Sequence, residues 1–298
     1  MEELLRGIMG MSLQSSGMLV IGGILVYLAI AKEYEPVLLL PMGFGCILAN
    51  IPFSSAVGES VVGGTGEVIQ GALTVLYDFG IKTELFPLLI FVAIGAMIDF
   101  GPLLKNPRML LFGGAAQFGI FFTIMVAGFF GFSLKEAASI GIIGAADGPT
   151  SIFVAGQFAP HLLAQISVAA YSYMSLVPII QPPVMRLLTT KEERMIRMPY
   201  EDHGISKPVK VLFPIIVTVV AGIIVPESVA LVGFLMFGNL LRESGVTDRL
   251  SQSAQNELAN LVTILLGITI GGTMKGETFL TWGTLAIIGM GLIAFVFD

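Results

Sequence analysis

Charged side chains are scarce in this chain of 298 residues, where they make up only 12%. Soluble domains carry about 25%, and half that share is too little to cover a water-facing surface. The composition therefore excludes a soluble enzyme of this length. Hydrophobic residues reach 55%, and the mean hydropathy of +0.90 indicates a chain surrounded by lipid.

Several other features are missing, and each excludes a class of protein. The single cysteine, Cys46, excludes an intramolecular disulfide. Basic residues number 15 against 21 acidic ones, so no nucleic-acid partner is expected. Phosphate-loop and serine-hydrolase motifs are absent. The acidic start Met-Glu-Glu, with no small-residue cleavage site after the first apolar run, predicts no removable signal peptide.

Apolar runs dominate what is present, and they are continuous rather than alternating, which favours helices over a porin-like barrel. We predict an all-α polytopic membrane protein. The region Gly58–Gly80 is predicted to be a loop with a partial helix. The ten predicted spans are Gly17–Ala31, Pro36–Pro52, Leu85–Phe100, Met109–Phe132, Glu136–Phe158, Leu162–Leu188, Val209–Val225, Val229–Leu241, Leu258–Thr273 and Phe279–Phe297.

The longest polar stretch, residues 186–210, contains six of the 15 basic residues. Short loops rich in Lys and Arg stay in the cytoplasm. We therefore place this loop inside the cell; the alternative, a merely solvated linker, also keeps it out of the bilayer.

Two parts of the sequence resemble each other. Pro36–Asn50 resembles Pro226–Asn239, as expected of a transporter-like two-repeat helical bundle, although chance similarity between apolar segments is an alternative. Whether the repeats are parallel or inverted stays open. The predicted organisation is a single membrane domain over 1–298, with a first repeat at 36–160, connecting helices with the basic loop at 161–225, and a truncated second repeat at 226–298.

The second repeat is expected to be incomplete. Glu84 and Glu257 occupy matching positions 173 residues apart, which places the counterpart of Asp147 near position 320. The chain ends at Asp298.

One carboxylate interrupts a long apolar stretch. Asp147 is the only formal charge between Ala137 and Met185, and Gly148 and Pro149 follow it. Pro disfavours helix at the preceding residue and Gly permits non-helical dihedrals. The apolar halves on either side span about 15 and 16 Å of helix, so we predict a discontinuous helix whose halves together cross the membrane once.

This interruption predicts a cation site. Unpaired helix carbonyls, the Asp147 carboxylate and the hydroxyls of Thr150 and Ser151 offer the oxygen ligands that hard cations prefer. The alternative is that Asp-Gly-Pro forms an ordinary surface turn between two short re-entrant helices. Tyr173, in the next span, is either a cation ligand, a proton donor or, like Tyr171, an interface anchor.

These motifs resemble a known family over nearly the whole chain. The segment 136–153 is similar to the signature of the beta subunit of sodium-pumping, biotin-dependent decarboxylases. Further matching strings lie at 38–45, 81–91, 95–103, 169–174, 181–186 and 236–243.

The resemblance implies a translocase subunit that decarboxylates carboxybiotin, consumes a proton and drives Na⁺ out of a bacterial or archaeal cell across the cytoplasmic membrane. Asp147 and Tyr173 would be the catalytic residues, and both would bind Na⁺ together with Thr150 and Ser151. Arg186 would meet the anionic carboxybiotin. The alternative function is a stand-alone secondary transporter for Na⁺/H⁺ or an organic anion.

The resemblance also implies partners. Carboxybiotin would be supplied by a biotin-carrier subunit, and a carboxyltransferase (alpha) subunit and a small membrane subunit would complete the complex. A homo-oligomer is left open, and complexes acting on oxaloacetate, methylmalonyl-CoA or glutaconyl-CoA would all fit.

Overall fold

The structure of the chain, a computed structural model, describes residues 2–61, 68–197 and 204–297. In chain order its α-helices are α1 (Glu2–Met9), α2 (Leu13–Ala31), α3 (Pro36–Asn50), α4 (Ala72–Leu76), α5 (Leu85–Met97), α6 (Gly101–Lys105), α7 (Leu110–Ala116), α8 (Phe118–Phe129), α9 (Leu134–Gly141), α10 (Gly148–Phe158), α11 (Leu163–Leu188), α12 (Lys191–Arg194), α13 (Lys207–Ile224), α14 (Val229–Glu243), α15 (Asp248–Ser253), α16 (Ala259–Thr273), α17 (Gly276–Phe279) and α18 (Trp282–Phe297).

The prediction of an all-α polytopic membrane protein is confirmed. Three segments are helical, long and apolar enough to cross a bilayer: Leu13–Ala31, Pro107–Phe129 and Lys207–Ile224. A fourth crossing results if the bent pair Ala72–Ile81 and Leu85–Met97 is counted as one span. Apolar side chains such as Phe129 (92% exposed) and Ile223 (77%) cover the outside of these helices, as expected of surfaces that face lipid.

The region Gly58–Gly80 differs in part from its prediction. Two short antiparallel strands, β1 (Glu59–Val61) and β2 (Val68–Gln70), pair with Glu59 opposite Gln70. The predicted partial helix is confirmed as α4 and the π-helical turn Tyr77–Ile81 that continues it. The strand pair was not predicted, because Gly-rich sequence weakens the alternation that marks a strand.

The chain divides into two compact units. Among the described residues, the first unit lies within 2–87, 119–175 and 260–297, and the second lies within 88–118 and 176–259. Each unit has its own crossing of two helices at small residues.

In the first unit α3 crosses α16 at close range. A Cβ at Gly45 would overlap the carbonyl of Ile268, and a Cβ at Gly271 would overlap that of Met42. Small residues let two helix backbones approach in this way. Beside the crossing, the buried Asn50 side chain closes the end of α16: Nδ2 donates to the Met274 carbonyl at 2.6 Å, and Oδ1 accepts from the Gly276 N–H at 3.0 Å.

In the second unit α14 crosses α5 in the same manner. A Cβ at Gly95 would overlap the carbonyl of Leu235, and a Cβ at Gly238 would overlap that of Val92. The buried Asn239 closes the end of α5, because its Nδ2 donates to the Ile98 carbonyl at 2.9 Å. Asn50 and Asn239 are the residues that end the two similar segments of the sequence.

The crossings pair helices from different predicted repeats. α3 belongs to the predicted first repeat and its partner α16 to the second, while α14 belongs to the second and its partner α5 to the first. Each compact unit is therefore assembled from both predicted repeats. The repeat boundaries themselves stay a prediction.

A helical hairpin, formed by α9 and α10, carries Asp147 at its tip. α9 begins in a capping box, in which Ser133 Oγ accepts from the Glu136 N–H and Glu136 Oε2 accepts from the Ser133 N–H at 2.8 Å. A 3₁₀ turn, Ile142–Ala145, continues α9 and ends at Ala146, whose φ is +49°. α10 begins directly afterwards, with Asp147 as its N-cap.

The two arms of the helical hairpin return to the same end, which corrects one prediction. Stacked end to end, the arms would separate Glu136 from His161 by roughly 36 Å, yet Glu136 Oε1 and His161 Nε2 lie 2.8 Å apart. The interruption at Asp147 is confirmed, but the prediction that both halves cross the membrane once is wrong. The left-handed Ala146 reverses the chain, so α9 and α10 lie side by side rather than end to end. Gly148 and Pro149 are buried, so the turn does not lie on the protein surface.

Candidate functional site

The Asp147 carboxylate caps the N-terminus of α10. Oδ1 accepts from the Thr150 N–H at 3.2 Å, and Oδ2 accepts from the Thr150 hydroxyl at 2.5 Å. Carboxylates are stabilised at this position by free N–H groups and by the helix dipole. The structure thus brings Asp147 and Thr150 together at the hairpin tip, with the carboxylate half-buried.

Ser151 contributes a second hydroxyl to the same turn. Its Oγ donates to the Asp147 carbonyl at 2.9 Å and lies 3.5 Å from the Ile142 carbonyl. The side chain is fully buried. Both hydroxyls are donors in these bonds, so their oxygens keep lone pairs that can accept or ligate.

The hairpin tip has the donor set of a hard-cation site. It presents a carboxylate, two hydroxyls and the carbonyls at the end of a 3₁₀ turn, all oxygen ligands of the kind that Na⁺ and similar ions take. Among the described residues no group of three or more His, Cys, Asp or Glu side chains could hold a metal ion.

Tyr173 faces α18. Its hydroxyl donates to the Ile288 carbonyl, and its ring stacks on Phe295 with centroids 6.4 Å apart. A Cβ at Gly291 would lie 2.7 Å from the ring, so this glycine makes room for the tyrosine. The first predicted site tyrosine thus joins α11 to α18.

Tyr171 faces the hairpin tip instead. It is 1% exposed, and its ring packs on Gly148, the residue after Asp147. From the sequence alone, both tyrosines are candidates for interface anchors. Their spacing also indicates that they have different neighbours, since side chains two residues apart point to opposite sides of a helix.

Two polar contacts fasten the base of the helical hairpin, and neither was predicted. One is the Glu136–His161 pair described above. The other joins Gln157 of α10 to Glu84, whose Oε1 accepts from Gln157 Nε2 at 2.7 Å. Ser133, which bonds to the Glu136 carboxylate, and then His161 lower the pKa of Glu136.

Arg186 lies in the last turn of α11 and is exposed. The described part of the basic loop that follows contains α12, which begins in a capping box formed by Thr190 and Glu193. Arg186 belongs to the second unit and Asp147 to the first. Its predicted contact with carboxybiotin stays a prediction, and His203 lies outside the described residues.

Comparison with known proteins gives a consistent result. A family model described as the Na⁺-transporting oxaloacetate decarboxylase beta subunit matches residues 14–298. The glutaconyl-CoA decarboxylase subunit beta of Acidaminococcus fermentans is 53% identical over 94% of this chain and 71% of its own length.

Two further relatives are similar over comparable shares. The methylmalonyl-CoA decarboxylase subunit beta of Propionigenium modestum is 49% identical over 97% of this chain and 76% of its own length. The oxaloacetate decarboxylase beta chain of Klebsiella pneumoniae is 42% identical over 99% of this chain and 81% of its own length.

Proposed function

Because the chain belongs to the Na⁺-transporting oxaloacetate decarboxylase beta-subunit family, we propose that it decarboxylates carboxybiotin and couples this step to Na⁺ export. Members of this family are subunits of biotin-dependent decarboxylase complexes. The similar relatives are named for three different acids, so the proposal concerns the step on carboxybiotin that such complexes share. These names favour the pump over the alternative of a stand-alone secondary transporter.

The observation that carries the proposal is the Asp147 carboxylate at the tip of a helical hairpin, with the Thr150 hydroxyl 2.5 Å from its Oδ2. A carboxylate inside a membrane protein is costly unless it has a partner, and such residues mark ion pathways. Asp147, Thr150 and Ser151 would hold Na⁺, the transported substrate. Tyr173, whose hydroxyl bonds to α18, would stand beside this site as a further Na⁺ ligand or a proton carrier.

The chemical step consumes a proton. In carboxybiotin the bond between the carboxyl carbon and the ring nitrogen breaks, CO₂ leaves, and the nitrogen takes up a proton. The Asp147 carboxylate would take up Na⁺ or a proton at one position. Binding of one ion in place of the other would couple the two processes.

The basic end of the second unit supports a cytoplasmic position for the loop 186–210. Lys207 and Lys210 begin α13 and Arg242 ends α14, and Lys210 pairs with Glu243 at 3.5 Å. The opposite turn between these two helices carries Glu227. The positive-inside rule then places the basic end in the cytoplasm, consistent with a multi-pass protein of a bacterial or archaeal cytoplasmic membrane.

The same end would meet the partners. We assign to a biotin-carrier subunit the delivery of carboxybiotin, with Arg186 as the cation that receives its carboxylate. A carboxyltransferase (alpha) subunit would load the carrier, and a small membrane subunit would complete the complex in the bilayer.

The test is Na⁺-dependent decarboxylation of free carboxybiotin by the assembled complex. The rate is expected to rise with Na⁺ concentration in the wild type, and this dependence should disappear in Asp147→Asn. An equal Na⁺-dependent rate in the variant would refute the role of Asp147 in coupling. Export of ²²Na⁺ from vesicles without any carboxybiotin would favour the secondary transporter instead.

A further inference from the structure

Tyr171 and Tyr173 serve different neighbours although both belong to one turn of α11. Residues two apart on a helix are rotated by about 200°, so their side chains leave on opposite faces. The Tyr173 hydroxyl donates a hydrogen bond to the Ile288 carbonyl of α18. Tyr171 is therefore the tyrosine of this turn that the fold directs to the helical hairpin.

The contact between Tyr171 and the hairpin tip is close. A Cβ at Gly148 would lie 2.5 Å from Tyr171 Cζ, the ring carbon that carries the hydroxyl. Only glycine leaves room for the phenol at this position. Gly148 follows Asp147 directly in the chain, so the Tyr171 ring packs on the residue next to the carboxylate. The carboxylate and the phenol are thus neighbours at the tip.

Burial strengthens this relationship. Tyr171 is 1% exposed and is the largest of the fully buried side chains among the residues that the structure describes. A phenylalanine would fill the same volume without bringing a hydroxyl that must be satisfied away from water. Phenol, carboxylate and hydroxyl oxygens are all of the hard kind that Na⁺ prefers, and the Tyr171 ring packs on the residue that follows Asp147.

We infer that Tyr171 is a further cation-binding residue, whose phenol oxygen completes the oxygen set of Asp147 and Thr150 around Na⁺. The inference rests on the proposed function, because it adds a ligand to the same site. It adds Tyr171 to the site beside Tyr173, whose hydroxyl also bonds to α18.

Tyr171→Phe in the complete decarboxylase complex tests the inference. The variant keeps the ring against Gly148 and removes only the hydroxyl oxygen. The Na⁺ concentration for half-maximal decarboxylation should rise about tenfold, the effect of losing one bond to a charged group. The maximal rate at saturating Na⁺ and the half-saturating carboxybiotin concentration should stay within about twofold, because a tenfold change would require a lost interaction of that size.

Two further variants make the result decisive. Tyr27→Phe, at an exposed position of α2 (57% exposed), should leave the half-saturating Na⁺ concentration unchanged. If Tyr171→Phe also leaves it unchanged while Asp147→Asn abolishes the Na⁺ dependence, the inference fails and the proposed function stands. If Asp147→Asn keeps the Na⁺ dependence, the proposed function fails as well. A lower thermal stability of Tyr171→Phe with unchanged Na⁺ dependence would make Tyr171 a packing residue and overturn the inference.

Discussion

The Nε2 atom of His161 lies 2.8 Å from Oε1 of Glu136, across the open end of the helical hairpin. Glu136 lies in the first turn of α9 and His161 lies just after the end of α10. Their contact therefore holds the start of α9 beside the end of α10. His161 is 63% exposed at its side chain and Glu136 24%, so the pair is reachable from water while Asp147 lies at the other end of the arms.

His161→Ala should loosen the base of the helical hairpin. Partly exposed ion pairs contribute up to about 1 kcal/mol, so the thermal unfolding midpoint in detergent should fall by only a few degrees. Backbone amides near the base should exchange faster in hydrogen-exchange mass spectrometry. Leu134→Ala, at a side chain that is 78% exposed, is the matched control. Equal exchange rates in the two variants would show that the pair does not hold the base.

The lowered pKa of Glu136 predicts a pH dependence of stability. Hydrogen bonds from Ser133, foremost among its partners, lower this pKa in the folded chain, so the unfolded state binds the proton more tightly. The contribution is present above the unfolded pKa of about 4.3 and is lost as the pH falls through the folded value. Unfolding midpoints measured between pH 7 and pH 3 should drop less steeply in Glu136→Gln than in the wild type, and equal slopes would contradict this.

Asp147→Asn and Asp147→Ala should separate capping from ion binding. Asn caps helices nearly as well as Asp, whereas Ala costs about 1 kcal/mol. Thermal stability should therefore fall in the Ala variant more than in the Asn variant. Both variants should lose Na⁺-stimulated decarboxylation, because neither retains the charge. Retention of stimulation in either one would argue against a cation held by this carboxylate.

Gly148→Ala should destabilise the hairpin tip. The added methyl would push against the Tyr171 ring, and overpacking of this kind costs about 1–3 kcal/mol. Gly128→Ala is the matched control, since a Cβ at Gly128 in α8 would meet nothing within 4 Å. Thermal unfolding should show a clear loss for the first variant and none for the second. A stable Gly148→Ala protein would mean that Tyr171 moves aside easily.

Asn50→Ala and Asn239→Ala should cost similar stability in the two units. Each removes a buried amide that closes a helix end and leaves carbonyls or an N–H without a partner, which costs about 1–3 kcal/mol. Asn256→Ala is the control, because that amide is exposed and donates to the Gln252 carbonyl four residues before it. Urea or thermal unfolding in detergent measures the loss of stability. If one of the two variants were as stable as the control, its asparagine would not stabilise its crossing and the prediction would be wrong for that unit.

The long helices such as α2 and α13 were predictable, because their apolar runs are long and are bounded by Pro, Gly or charge. The interruption at Asp147 was predictable for the same reason, since Gly148 and Pro149 change the backbone locally. Thr150 could also be placed beside Asp147, because a capping residue bonds to the third residue of its own helix.

The direction of the chain after the interruption was not predictable. It depends on the left-handed conformation of Ala146, which a residue with a Cβ adopts only when its surroundings compensate for the strain. The Glu136–His161 contact could not be found either, since it is a consequence of that reversal. Which of the two tyrosines packs on the hairpin tip depends on which face of α11 meets it. Helical periodicity shows that Tyr171 and Tyr173 lie on opposite faces of α11, but it does not show which helix each face contacts.

The pairing of α3 with α16 and of α5 with α14 has a consequence for biosynthesis. Asn50 leaves the ribosome more than 200 residues before Met274, its hydrogen-bond acceptor, and Gly95 long before Leu235. Neither crossing can form while only the first half of the chain is inserted. Until α14 and α16 are made, the small-residue surfaces of α3 and α5 at Gly45 and Gly95 face lipid. Final assembly is then a late and slow event dominated by distant contacts, and a translational pause after the basic loop would prolong the exposure of the unfinished halves to quality-control proteases.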